Sequence, residues 1–182
     1  MTSLNDQARD ILRRNDRGGY TVPTDGLYPY QWNWDSVFAA WGFATFDLPR
    51  AWLELETLMA AQWSDGMVPH IIFHQSDPGY YPGPDVWATD QTPPTSGISQ
   101  PPVAAILTRL IWEQDLDAGQ SHLAAFYPKL WAWHRWWHDM RGTRGPAAIT
   151  HPGESGRENC PDWDIGMAGV DGSKVGDYTR RD

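Results

Sequence analysis

Two separated stretches of this chain concentrate residues able to act on a sugar. The later one, 151–164, reads HPGESGRENCPDWD and places Glu154, Glu158, Asp162 and Asp164 in a Pro- and Gly-bounded segment that regular helix does not accommodate. The earlier one, 28–35, reads YPYQWNWD and sets Asp35 among Tyr28, Tyr30, Trp32 and Trp34. A carboxyl presented on a loop can give or take a proton. Aromatic faces stack on pyranose rings, and carboxylates accept hydrogen bonds from sugar hydroxyls. These are the materials of a glycoside site. The same residues also fit a plainer role, with Trp32 and Trp34 in the core and the later loop a solvated turn.

Other side chains extend the candidate set. Gln100 precedes a helix opened by Pro101 and Pro102, where its amide can serve adjacent hydroxyls or cap the helix. Tyr80 and Tyr81 lie in a Pro/Gly-rich stretch and can cover a ligand or anchor their loop. Glu154 is expected to serve nearby backbone N–H groups rather than catalysis. Arg157, Arg180 and Arg181 are candidates for an anionic group on the ligand. His70 with His74, and His134 with His138, stand four apart, a spacing that can put two imidazoles on one face. Neither pair has a recognisable third ligand, so no metal and no cofactor is expected. Cys160 lacks the local signature of a catalytic thiol.

Composition narrows the classes. A length of 182 residues is a prior for one domain. The single cysteine excludes an internal disulfide and any multi-cysteine zinc site. A formal charge of −9 argues against a nucleic-acid partner. Mean hydropathy is −0.56 and no apolar run reaches the length of a membrane span, so no membrane partner is expected. The opening MTSLND lacks the basic and apolar regions of a signal peptide, which points to the cytoplasm.

The elements that must position these residues are helical. A peripheral amphipathic helix is expected over 3–15. A helix from near Asn33 shows Trp34, Val37, Phe38 and Trp41 on one face, and Asp47 with Pro49 opens another carrying Leu48, Trp52, Leu55, Met59 and Trp63. Ser99, with Pro101 and Pro102, opens a third bearing Val103, Ile106, Leu107, Leu110 and Ile111. A fourth runs over 121–141, and strands should be few and short. These pair as two hairpins, joined at Asp47 and near 117–119, with a long loop over 64–97 between them. Asp35, Gln100 and Glu158 then stand at successive hairpin starts, 65 and 58 residues apart. Hairpins repeated this way wrap into an all-α toroid whose site lies at one end. Two and a half hairpins do not close the ring, so residues 1–182 read as the N-terminal part of a larger domain.

YPYQWNWDSVFAAWG, DGMVPHIIF, PPTSGISQPPVAA and HPGESGRENCPDWD together resemble glycoside hydrolase family 63, nearest its branch of mannosylglycerate and glucosylglycerate hydrolases. The resemblance runs from about Tyr28 to the end and implies an incomplete (α/α)6 barrel of six-hairpin glycosidase type. The late loop is similar to the family pattern HPWESGxDNSP, whose Asp is the general acid. Glu158 stands in that Asp's place, Gly153 where the family has a Trp lining the sugar site, and Cys160 in place of a Ser. The resemblance implies a general base, a Glu in the second half of the barrel, which this chain does not contain.

The function expected is therefore inverting hydrolysis of a small α-glycoside such as glucosylglycerate or mannosylglycerate. Glu158 would be the acid, held protonated by its pocket, with Tyr28, Trp32, Trp34, Asp35, Tyr80 and Gln100 binding the substrate. The alternative is an inactive or vestigial sugar-binding fragment. Helix faces meant for absent hairpins, Trp34/Phe38/Trp41 and Val103/Leu107/Ile111, would favour self-association.

Overall fold

The computed structural model describes residues 2–142 and 145–171, so Arg180 and Arg181 lie outside the described residues. Helix α1, Leu4–Asn15, starts from a reciprocal cap: the Ser3 hydroxyl accepts from the Asp6 N–H, and the Asp6 carboxylate accepts from the Ser3 N–H. Helices α2, Asn33–Ala44, and α3, Leu48–Ala60, form the first hairpin. Asp47 stops one and starts the other, its carboxylate accepting from the Arg50 N–H at 3.1 Å, with Pro49 in the first turn. Helices α5, Ala104–Trp112, and α6, Gly119–Arg141, form the second hairpin.

The two hairpins share one core. Val37, Ala40 and Phe43 of α2 meet Leu55, Leu58 and Met59 of α3, while Leu107 and Ile111 of α5 meet Phe126 and Trp133 of α6. Each of the larger aliphatic and aromatic side chains contributes about 1.5–3 kcal/mol on full burial. Of the stripe expected on α3, Trp52, Leu55 and Met59 are buried and Leu48 is partly buried, whereas the helix ends at Ala60 and Trp63 packs on the core from beyond it.

Three expectations are corrected. On α2 the buried face is Asn33, Ser36, Val37, Ala40, Phe43 and Ala44, whereas Phe38 and Trp41 remain 47% and 42% exposed. Small residues at 36 and 40 let α2 approach its neighbours closely, which turns the larger aromatic row outward. Helix α5 begins at Ala104 rather than at Ser99, because Pro101 and Pro102 lack amide hydrogens and hold an extended lead-in. The Val103/Leu107/Ile111 row faces the core, with Leu107 and Ile111 buried, and is not left open.

The segment 64–97 is ordered rather than structureless. Strand β1, Gln31–Trp32, pairs antiparallel with β2, Ile71–Ile72, and Ile72 bridges onward to Thr95. A short helix α4, Pro84–Trp87, follows. Tyr30, Trp32, Ile71, Phe73, Trp87 and Ile98 form a second apolar cluster beneath the start of α2. Past α6, 3₁₀ turns at Pro152–Ser155 and Pro161–Trp163 lead into a final turn of helix α7, Asp164–Met167. No helix among the described residues is long and apolar enough to cross a membrane.

Candidate functional site

The cap residue of α2, Trp32, supplies no side-chain acceptor to the start of its helix. Gln100 does so from the second hairpin, its Oε1 accepting from the Trp34 N–H at 3.1 Å. The amide, for which capping of its own helix was one of two expected roles, thus caps the neighbouring one. That contact brings the lead-in of α5 to the first turn of α2. The late loop closes the third side, with Gly156 against the Trp34 ring.

A Cβ built on Gly156 would stand 2.6 Å from Trp34 Cη2 and Cζ2, and its φ is +64°, in the left-handed region glycine adopts at no steric cost. Only glycine allows the loop so near the indole.

Between these elements lies a cavity of about 200 Å³ lined by Pro23, Tyr28, Trp32, Trp34, Asp35, Gln100, Gly156 and Glu158. A second concavity of about 410 Å³ shares Pro23, Trp34 and Asp35 with it and runs on toward Ile11 and Phe38. Of the residues singled out in the sequence, Tyr28, Trp32, Trp34, Asp35, Gln100 and Glu158 are thus brought together. Tyr28 meets Trp32 edge-on at 5.1 Å, making one aromatic corner. Tyr80 does not line this cavity. It packs edge-on against both Tyr30 and Trp32 at 5.4 Å, behind the wall it was expected to join.

The two carboxyls differ in environment. Asp35 is half-buried, and its pKa is raised to about 6, mainly by burial, with the charge of Glu158 adding to the effect. Its own backbone N–H and the Trp34 side chain pull the other way without prevailing. Glu158 itself is exposed at the cavity rim. The expectation of a pocket enclosing Glu158 is therefore corrected for this chain: the enclosed carboxyl is Asp35, because it sits in the first turn of a packed helix while Glu158 sits on a surface loop.

The remaining candidates have other partners. Glu154 is buried, accepting from the Ser99 and Thr150 N–H groups at 3.3 and 3.1 Å and pairing with Arg141 at 2.7 Å, as its expected backbone role requires. Arg157 donates to Asp162 at 2.8 Å and to Cys160 Sγ at 2.9 Å, so these three residues bind one another at the loop surface. Asp164 is exposed at the start of α7. Gly153 is buried against His151 and Ile98 and is not among the cavity-lining residues, so it does not open the sugar wall.

The first histidine pair diverges, whereas the rings of His134 and His138 lie 4.7 Å apart on α6. His74 Nε2 meets Gln31 Oε1 at 2.7 Å, whereas His70 is sealed beside Trp32, with its pKa lowered to about 3 by burial. Among the described residues no three His, Cys, Asp or Glu side chains are grouped to hold a metal ion.

Two features escaped the sequence. Pro23 carried no signal at all. The support under β1 had one: Arg50 and Glu54 stand at i,i+4 spacing on α3. Glu54 is fully buried, accepting from Arg50 at 2.8 Å, the Thr21 hydroxyl at 2.7 Å and Gln31 Nε2 at 3.2 Å. Arg50 also pairs with Asp16 at 2.9 Å. This network fixes Gln31, and through it the position of Trp32.

Known proteins resemble this chain in sequence and in fold. The chain is 48% identical over 179 residues to mannosylglycerate hydrolase MGH1 of Selaginella moellendorffii, which covers 96% of the chain and 37% of that protein. It is 42% identical to the glucosylglycerate hydrolase of Mycolicibacterium hassiacum, covering 100% of the chain and 44% of the relative. The crystal structure of a family 63 mannosylglycerate hydrolase from Thermus thermophilus, in complex with Tris and D-glycerate, superposes with a TM-score of 0.88 at 46% identity, over 93% of this chain and 41% of that one. The chain therefore spans well under half the length of the relatives it matches. With residues 28–182 matching the family model, the chain belongs to the mannosylglycerate hydrolase MGH1-like glycoside hydrolase domain family.

Proposed function

We propose that this chain provides the glycosyl-binding side and the general acid of an inverting glycoside hydrolase acting on a small α-glycoside such as glucosylglycerate or mannosylglycerate. The cavity carries this reading. It presents two indoles, a phenol, an amide and two carboxyls, and no basic side chain among its described lining residues. Such a lining suits a neutral polyhydroxylated ring better than an anion. The relatives' names, and the D-glycerate bound by the Thermus neighbour, support a glycerate aglycone.

In this reading Trp34 and the Tyr28–Trp32 corner hold the ring by stacking. Gln100, its oxygen engaged by the Trp34 N–H, offers its Nε2 hydrogens to sugar oxygens. Asp35 fixes a hydroxyl, accepting when ionised and also able to donate when protonated. Glu158 delivers a proton to the glycosidic oxygen as the bond to the anomeric carbon breaks. A water then adds from the opposite face, yielding its proton to a base from the portion of the domain that the longer relatives carry beyond the matched region. That portion would also cover Glu158 from solvent. The acid and base carboxyls would stand roughly 6.5–9.5 Å apart. The cytoplasm is the proposed location.

A second reading, a sugar-binding unit without turnover, is favoured by the exposure of Glu158. One experiment separates the two. The chain, extended to the length of its relatives, is given glucosylglycerate or mannosylglycerate and followed by proton NMR. Release of glycerate with the first-formed sugar in the inverted anomeric configuration establishes the enzyme. Binding without release establishes the binding unit, and neither outcome overturns both.

A further inference from the structure

We infer that the buried Glu154–Arg141 pair is the positioning device of this site, holding the late loop and the 99–100 segment in a fixed relation to the start of α2. The Glu154 side chain is fully enclosed, and that of Arg141 is 7% exposed. Arg141 closes the end of α6 and grips the carboxylate with both edges of its guanidinium, Nε at 2.9 Å and Nη2 at 2.7 Å. The same carboxylate accepts from the Ser99 N–H at 3.3 Å and the Thr150 N–H at 3.1 Å. It therefore ties three otherwise separate pieces of chain to one point.

The tie reaches the cavity along two branches. Through Ser99 it sets Gln100, whose Oε1 caps α2 at the Trp34 N–H, one residue before Asp35. Ser99 is itself held by Val68 O at 2.7 Å and Trp133 Nε1 at 2.9 Å, so that branch cannot slide. Through the loop it sets Gly156, two residues on, against the Trp34 ring, and then Glu158 at the rim. Glu154 is absent from the lining of this cavity, so it acts through these neighbours. Misplacing reacting groups by about 1 Å can cost about 10²-fold in rate, so such a tie matters to function as well as to folding.

The part of the inference that concerns ligand binding rests on the glycoside reading, and the test separates the two. Backbone hydrogen exchange is measured in residues 1–182 with Arg141→Lys, which keeps the charge but loses the fork, and with Glu154→Gln. Leu55→Ala serves as a control for lost stability in the core. Dissociation constants for glucosylglycerate are read in parallel. Both site variants are expected to exchange about tenfold faster at the Trp34 amide and across 151–160, and to bind about tenfold more weakly. Leu55→Ala should leave both readouts within about twofold at an equal or lower melting temperature. Unchanged exchange in Arg141→Lys, or the same local changes in Leu55→Ala, overturns the inference. Faster local exchange with an undiminished sugar affinity overturns the claim that the tie serves the site. If the unaltered chain binds no glucosylglycerate, the glycoside reading is what fails, and the exchange data still decide whether the pair positions the cavity.

Discussion

Glu158 and Asp35 face one cavity from opposite chain segments, and the charge of Glu158 reinforces burial in holding the Asp35 proton to about pH 6. The folded pKa lies above the ordinary 3.8, so the folded chain keeps a proton that the unfolded chain has already released. This carboxyl's contribution therefore favours the folded state at low pH and is lost as pH rises from about 4 to about 6. Carbon-detected NMR of the Asp35 carboxyl should give a midpoint near 6. Glu158→Gln should lower that midpoint only in part, because burial is the larger cause. A midpoint near 4 in the unaltered chain would mean that the carboxyl is solvated.

The contact between Gly156 and Trp34 makes the loop intolerant of any side chain at that point. Gly156→Ala forces a methyl into the indole and a non-glycine residue into the left-handed region, at a cost of about 1–3 kcal/mol from the backbone alone. A lower melting temperature with weakened sugar binding, reported by tryptophan fluorescence, is the expected result. Gly166→Ala, where a Cβ meets nothing within 4 Å, should leave both unchanged.

Gly153 gives a prediction opposite to the one its place in the family pattern invites. Restoring the family's Trp would widen an aromatic wall if the residue faced the cavity. A Cβ there already meets Ile98 Cδ1 and His151 Nδ1 at 3.0 Å, so Gly153→Trp should overpack the loop and destabilise the chain by about 1–3 kcal/mol or more. Thermal melts of the single variant decide this. Stabilisation with tighter sugar binding would show that the loop can turn this residue toward the cavity.

Much of the fold was legible because it follows helical periodicity and turn chemistry. Asp47–Leu48–Pro49 announced the first hairpin's corner, and Trp52, Leu55 and Met59 of the α3 stripe followed from spacing alone. On α2 side-chain size does not signal burial: Ser36 and Ala40 make close packing possible and leave Phe38 and Trp41 outside. Six of the eight cavity residues could be singled out since they cluster in two short motifs and one helix lead-in. Tyr80 could not be placed, because its position depends on segment 64–97 folding back on β1. In the Glu54 network only the Arg50–Glu54 spacing was legible, its other members coming from three further stretches of chain.

The outward row on α2 is an association hazard. Phe38 and Trp41 are each more than two-fifths exposed, and Phe38 lines the larger concavity. Residues 1–182 should self-associate at micromolar concentration, and Trp41→Glu with Phe38→Ser should shift the chain toward monomer. Size-exclusion chromatography with light scattering reads this directly. A clean monomer before substitution would show that the row is tolerated in water.

The central claim is that Glu158 delivers the proton to the leaving glycosidic oxygen. Its most direct test compares Glu158→Gln with the unaltered sequence, in the chain extended to its relatives' length, on two substrates. Glucosylglycerate, whose leaving oxygen needs a proton, should lose about 10²–10⁴-fold in kcat. A glycosyl fluoride, whose leaving group needs little protonation, should lose far less. Equal losses on both substrates, or none on glucosylglycerate, would contradict the assignment of Glu158 as the acid.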